Sequence, residues 1–120
     1  MDHNMTNFRN PKPWLVLATT GWLAIIVLSL VPSAVRPHSG AGGSSEHFLA
    51  YALVAACFTI AVRGHNLTRL LAFLAIGSGI LELLQQHIPG RTAEWAGFYS
   101  ASAGVLAGFV VVRLCSRAFR

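Results

Sequence analysis

The sequence predicts an all-α protein, a four-helix transmembrane bundle with the N-terminus and the C-terminus both cytoplasmic. Hydrophobic residues fill 54% of the 120 positions and charged residues only 11%, a balance that argues against water-soluble classes. Four stretches carry no charge at all: residues 14–31, 48–62, 70–81 and 95–112. Each is a candidate span. The nine basic residues lie between these stretches with a marked bias. Arg9 and Lys12 precede the first, Arg63 and Arg69 separate the second from the third, and Arg113, Arg117 and Arg120 follow the fourth. Only Arg36 and Arg91 fall in the other two connections. An N-terminus inside the cell puts seven of the nine on the cytoplasmic side, as the positive-inside rule requires.

The length allows one domain. Residues 1–13 read as a cytoplasmic N-terminal segment, 14–112 as the membrane domain and 113–120 as a basic cytoplasmic tail. A net charge of +5 could point to nucleic acid, but basic residues placed at helix ends make no stacking and phosphate-binding surface, so no nucleic-acid partner is expected. Cys57 lies inside the second span and Cys115 at the cytoplasmic end of the fourth, so no disulfide framework is implied. Val31-Pro32-Ser33-Ala34 weakly resembles a signal-peptide cleavage site. The 18-residue apolar run before it is longer than a usual signal core, which favours an uncleaved first helix.

Pro13 suits the first position of helix one, where its missing N–H costs nothing, and Pro32 ends that helix. The Gly- and Ser-rich stretch 40–45 reads as a loop, with Ser44 or Ser45 capping helix two and Glu46 in its first turn. The charge-free part of helix two is 15 residues, roughly 22 Å long at about 1.5 Å per residue. Residues 63–69 read as a tight cytoplasmic turn, and helix three as running from about Leu70 to Ile88, stopped by Pro89-Gly90. In the last span Ser100, Gly104 and Gly108 recur every four residues, a small-residue stripe that lets another helix approach closely.

The polar residues that could carry chemistry share the outer side. Glu82 falls inside a span, roughly 18 Å from Leu70, where a carboxylate costs about 2.5–3.5 kcal/mol. It therefore has to face protein, water or a ligand. Ser78, Gln85 and Gln86 stand at i−4, i+3 and i+4 from it. His47 and Tyr51 share a face of helix two at a similar depth, so His47 is a candidate general base, with Glu82 as its catalytic partner and Tyr51 or Arg91 to stabilise an anion. Arg36 and Arg91, on the side where basic residues are disfavoured, are candidates to hold something negative or to pair with Glu46, Glu82 or Glu94. The candidate ligand-binding set is thus His47, Tyr51, Glu82, Gln85, Arg91 and Arg36. Its rival reading is a tether in which Glu82 pairs with Arg91 or His47 to hold the helices in register. No nucleophile elbow, SxxK pattern or HExxH motif is present, and no cofactor or metal is implied; His47, Glu82 and His87 lack the spacing of a metal site.

In these residues the chain resembles the VanZ-like family of bacterial membrane proteins. Ser29-Leu30-Val31-Pro32 with Arg36-Pro37, then Glu46-His47-Phe48-Leu49-Ala50-Tyr51, then Glu82-Leu83-Leu84-Gln85 followed by Pro89-Gly90-Arg91 match its pattern in order, and Gly104 matches the small residue of its last helix. The resemblance covers about residues 28–108. Gly43 and Ser44 stand where the family usually has Asp-Lys, and Gly97 and Ala101 where it has Asp and Asn. What the resemblance implies is a multi-pass protein of the bacterial inner membrane with a cell-envelope role, binding or modifying a membrane lipid, a lipid-linked glycan or a cell-wall intermediate. The alternative is a non-catalytic structural or accessory subunit of a membrane complex, with Gly104 and Gly108 open to helix association.

Overall fold

The structure is a computed structural model and describes residues 10–31, 43–62, 64–88 and 95–118. Four helices make up nearly all of it: α1 (Lys12–Leu30), α2 (Gly43–Ala61), α3 (His65–Gln85) and α4 (Trp95–Ala118). Their ends follow from local chemistry. Pro13 lies in the first turn of α1, and Val31 leaves the helix at φ −82°, ψ 151°, the extended conformation that a following proline imposes. Between α2 and α3 the chain reverses at Gly64, whose φ of 72° is one that a side chain would disfavour.

That reversal corrects the expected turn over residues 63–69. No proline or glycine follows Gly64 for a dozen residues and α3 starts at the next residue, so Asn66, Thr68 and Arg69 belong to α3, while Arg63 lies outside the described residues. At its other end α3 stops at Gln85 rather than Ile88. Gln86, His87 and Ile88 close tighter turns, donating to the carbonyls of Leu83, Leu84 and Gln85 at 3.4, 3.1 and 3.1 Å, as a helix does where it runs into a proline. Similarly, α2 begins three residues before Glu46, and α4 runs on through Arg113 and Arg117.

Three of the four helices, α1, α3 and α4, are long and apolar enough to cross a membrane, and the apolar part of α2, Ser45–Ala61, is shorter. The surfaces agree with a membrane setting. Leu17, Leu23, Val27, Leu53, Ile76 and Leu106 all point outward and are more than half exposed, a density of exposed apolar side chains that water-soluble surfaces avoid.

The helices run alternately up and down. The most extensive packing is between α2 and α4, followed by α1 on α2 and α3 on α4; α3 touches α1 and α2 more lightly, and α1 does not reach α4. Ala18, Tyr51, Val54, Ala55, Phe58, Leu67, Leu74, Ala101 and Val105 form the core. Trp22 of α1 fills the centre, edge-on to Tyr51 of α2 at 5.8 Å and to Phe73 of α3 at 6.0 Å between ring centroids.

The tight α2–α4 contact is a contact of backbones. A Cβ placed on Gly104 would sit 3.2 Å from the Ala52 nitrogen and collide with the Phe48 carbonyl, and one on Gly108 would sit 3.0 Å from the Ala56 nitrogen and collide with the Ala52 carbonyl. With little hydrophobic drive between helices in lipid, such close approach is what holds a pair together. Gly104→Leu should therefore lower the melting temperature in detergent or abolish assembly, since neither backbone can move away, whereas Val111→Leu on the exposed face should leave it unchanged. Equal tolerance at both positions would contradict this packing.

Candidate functional site

The helix directions bring the C-terminal ends of α1 and α3 and the N-terminal ends of α2 and α4 to one end of the bundle. Most of the sequence's candidate residues gather there. Glu82 lies in the last turn of α3 and is 7% exposed. Its Oε1 is 3.9 Å from Nε2 of His47 in the first turns of α2, with the two side chains 10% and 18% exposed. That distance is an ion-pair contact when the imidazole is protonated and is longer than a hydrogen bond. The His47 ring lies nearly parallel to Tyr51 one turn on, with 6.4 Å between centroids and 12° between planes. Tyr51 is 1% exposed and continues the aromatic contact inward to Trp22.

The other polar residues of α3 serve the helices themselves. Ser78 donates to the Ala75 carbonyl of its own helix at 2.6 Å. Gln85 is 4% exposed, and its Nε2 donates to the Ser29 carbonyl at 3.2 Å. Ser29 lies in the last turn of α1, where carbonyls have no partner within the helix, so Gln85 supplies one from across the bundle. Gln86 and His87 are exposed beyond the end of α3. Among the described residues no three His, Cys, Asp or Glu side chains come together as a metal site would need. Arg36, Arg91 and Glu94, named above as candidates to bind an anion or to pair, lie outside the described residues.

One residue essential to this geometry carries no functional group. A Cβ on Gly97, in the first turn of α4, would fall on Oε1 of Glu82 and 2.9 Å from its carboxyl carbon. Gly97 is the notch in which the carboxylate is seated. The seat is electrostatically apt, because the first turn of a helix presents unpaired N–H groups and the positive end of its dipole. One turn on, Ala101 is fully buried, and a larger side chain there would have no room. The space that a side chain at Gly97 would take is filled by the Glu82 carboxylate. The available signal was a small residue in the first turn of the helix facing an intramembrane carboxylate.

Chemically, the pair offers an imidazole beside a carboxylate, a combination that can exchange a proton or accept hydrogen bonds from a ligand. Gly97→Ala should displace the Glu82 carboxylate and lower thermal stability by as much as that buried end of the side chain resists the shift. Glu82→Ala in the same chain should recover much of that loss, because the clash disappears. Purely additive effects on thermal unfolding would show that the two residues are not in contact.

No protein-family model, no curated protein and no solved structure matches the chain.

Proposed function

We propose that this chain is a divergent VanZ-like protein of the bacterial inner membrane that binds or modifies an envelope lipid or lipid-linked glycan where His47 and Glu82 meet. The observation that carries the proposal is the 3.9 Å approach of two largely buried ionisable groups from different helices at one end of an apolar bundle. Intramembrane ionisable residues default to function, because their burial is otherwise a cost. Trp95 and Tyr99, 66% and 67% exposed at the same end, are the residue types that settle at the headgroup level. A lipid headgroup is therefore the ligand within reach. In this reading α2 is the fourth span, short but complete with its polar first turn, and Arg36 and Arg91 in the flanking connections supply positive charge for a phosphate or carboxylate.

The termini are cytoplasmic in this proposal. The described basic residues, Lys12, Arg69, Arg113 and Arg117, all lie toward the end of the bundle away from His47 and Glu82, which agrees with a cytoplasmic basic end and an outward-facing site. The hydrogen bond from Gln85 to Ser29 favours a second reading, in which the polar residues tether the helices and the chain is a non-catalytic accessory subunit. Gly104 and Gly108 are filled by α2 of the same chain, so association with another subunit would use a different face.

Glu82→Gln separates the two readings, because the amide keeps the shape and loses the charge. For a binding or catalytic site, this variant at wild-type abundance and melting temperature should fail to complement the envelope phenotype of a deletion strain. For a tether, the melting temperature should fall and complementation should follow abundance alone. Topology is tested separately: a periplasmic reporter after Arg120 should be inactive and one inserted within residues 39–45 active, and the reverse pattern would refute the orientation.

A further inference from the structure

The opposite end of the bundle carries a second feature, independent of the His47–Glu82 reading. Helix α4 has 24 residues, about 36 Å at about 1.5 Å per residue, which outruns a hydrocarbon core of about 30 Å. Its last turns therefore emerge at the headgroup level. There, Leu106, Val110, Arg113, Leu114 and Arg117 recur at the spacing of a single helix face. Leu106, Val110 and Leu114 are 63%, 41% and 59% exposed, and both arginines are exposed too. The result is a continuous outward stripe that is apolar for two turns and then ends in two guanidinium groups one turn apart. Arg113 is held over the Phe109 ring, 5.2 Å from its centroid, a contact that restrains the side chain before anything binds.

Nothing acidic answers these charges within the described residues. The only described carboxylates, Glu46 and Glu82, belong to the far end, and neither arginine has an ion pair among the described residues. Charge bias alone would be satisfied by basic residues anywhere on the rim. A single basic residue, Arg69, also heads the exposed Phe73, Ile76 and Ile80 face of α3; what sets α4 apart is two guanidinium groups one turn apart at the end of such a stripe, an arrangement matching an amphiphile with acyl chains and an anionic head.

We infer that the C-terminal half of α4 is a binding site for an anionic phospholipid, whose acyl chain lies along Leu106, Val110 and Leu114 and whose phosphate is held by Arg113 and Arg117. Guanidinium groups suit this task because they present forked donors to phosphate oxygens. The apolar stripe selects a lipid over a free phosphate, which has no chain to bury.

The test is lipid retention by the purified full chain in native mass spectrometry, with phosphatidylglycerol, phosphatidylcholine of the same acyl chains, and glycerol 3-phosphate as probes. Phosphatidylglycerol should be retained about tenfold over phosphatidylcholine, since each basic residue near a charged lipid contributes a few-fold. Glycerol 3-phosphate should not be retained. R113Q/R117Q should bring the two lipids to equal retention, K12Q should leave the preference intact, and R113K/R117K should keep more of it than the double glutamine variant. Circular dichroism of each variant in the same detergent confirms that the helices persist. Equal retention of both lipids by the wild type, an unchanged preference in R113Q/R117Q, or retention of glycerol 3-phosphate as strong as that of the lipid would each overturn the proposal.

Discussion

A carboxylate inside a membrane span costs about 2.5–3.5 kcal/mol on insertion scales, and α3, long and apolar enough to be such a span, buries Glu82 to 7% exposure. Three helices contribute. The imidazole of His47 comes from α2, the seat at Gly97 from α4, and the neighbouring hydrogen bond of Gln85 ties α3 to the last turn of α1. The first two relations depend directly on where Glu82 lies, and the third closes the same end of the bundle beside it.

That end can be organised only because the rest of the bundle is held closely. The direct backbone contact of α2 with α4 at Gly104 and Gly108 fixes how far His47 stands from the first turn of α4. Gly97 lies on the same helix as those glycines, seven residues before Gly104, so α4 turns one small-residue surface toward two different tasks. In its middle it admits the backbone of a neighbouring helix. At its start it admits a carboxylate. Trp22 completes the frame by filling the space among α1, α2 and α3, where α1 and α4 are too far apart to meet.

The helices were legible in the sequence because long apolar helices are signalled by missing charge, and each charge-free stretch falls within a helix apart from its last residue at Val31 and Val62, although only three of the four are long enough to cross a membrane. Their ends were less legible. Treating Arg63 to Arg69 as a turn gave polar residues the weight that belongs to a single glycine, and only the positive φ of Gly64 shows how little chain the reversal needs. The pairing of Glu82 with His47 was readable from depth. The division of labour on α3 was not: Ser78 and Gln85 share the periodicity of Glu82, yet one bonds within its own helix and the other caps α1. Gly97 was the least legible, since a glycine has no functional group and its meaning lies wholly in what occupies the space beside it.

The site therefore stands or falls on whether His47 and Glu82 meet in a bilayer. The direct measurement is a solid-state NMR dipolar distance between the Glu82 carboxyl carbon and Nε2 of His47 in the full chain in lipid, with Gln85 Nε2 to the Ser29 carbonyl carbon as the internal reference. Expected is a clear coupling for both pairs, since the oxygens bonded to the two observed carbons lie 3.9 Å from His47 Nε2 and 3.2 Å from Gln85 Nε2. A visible Gln85–Ser29 coupling with none between Glu82 and His47 would contradict the site while leaving the bundle intact.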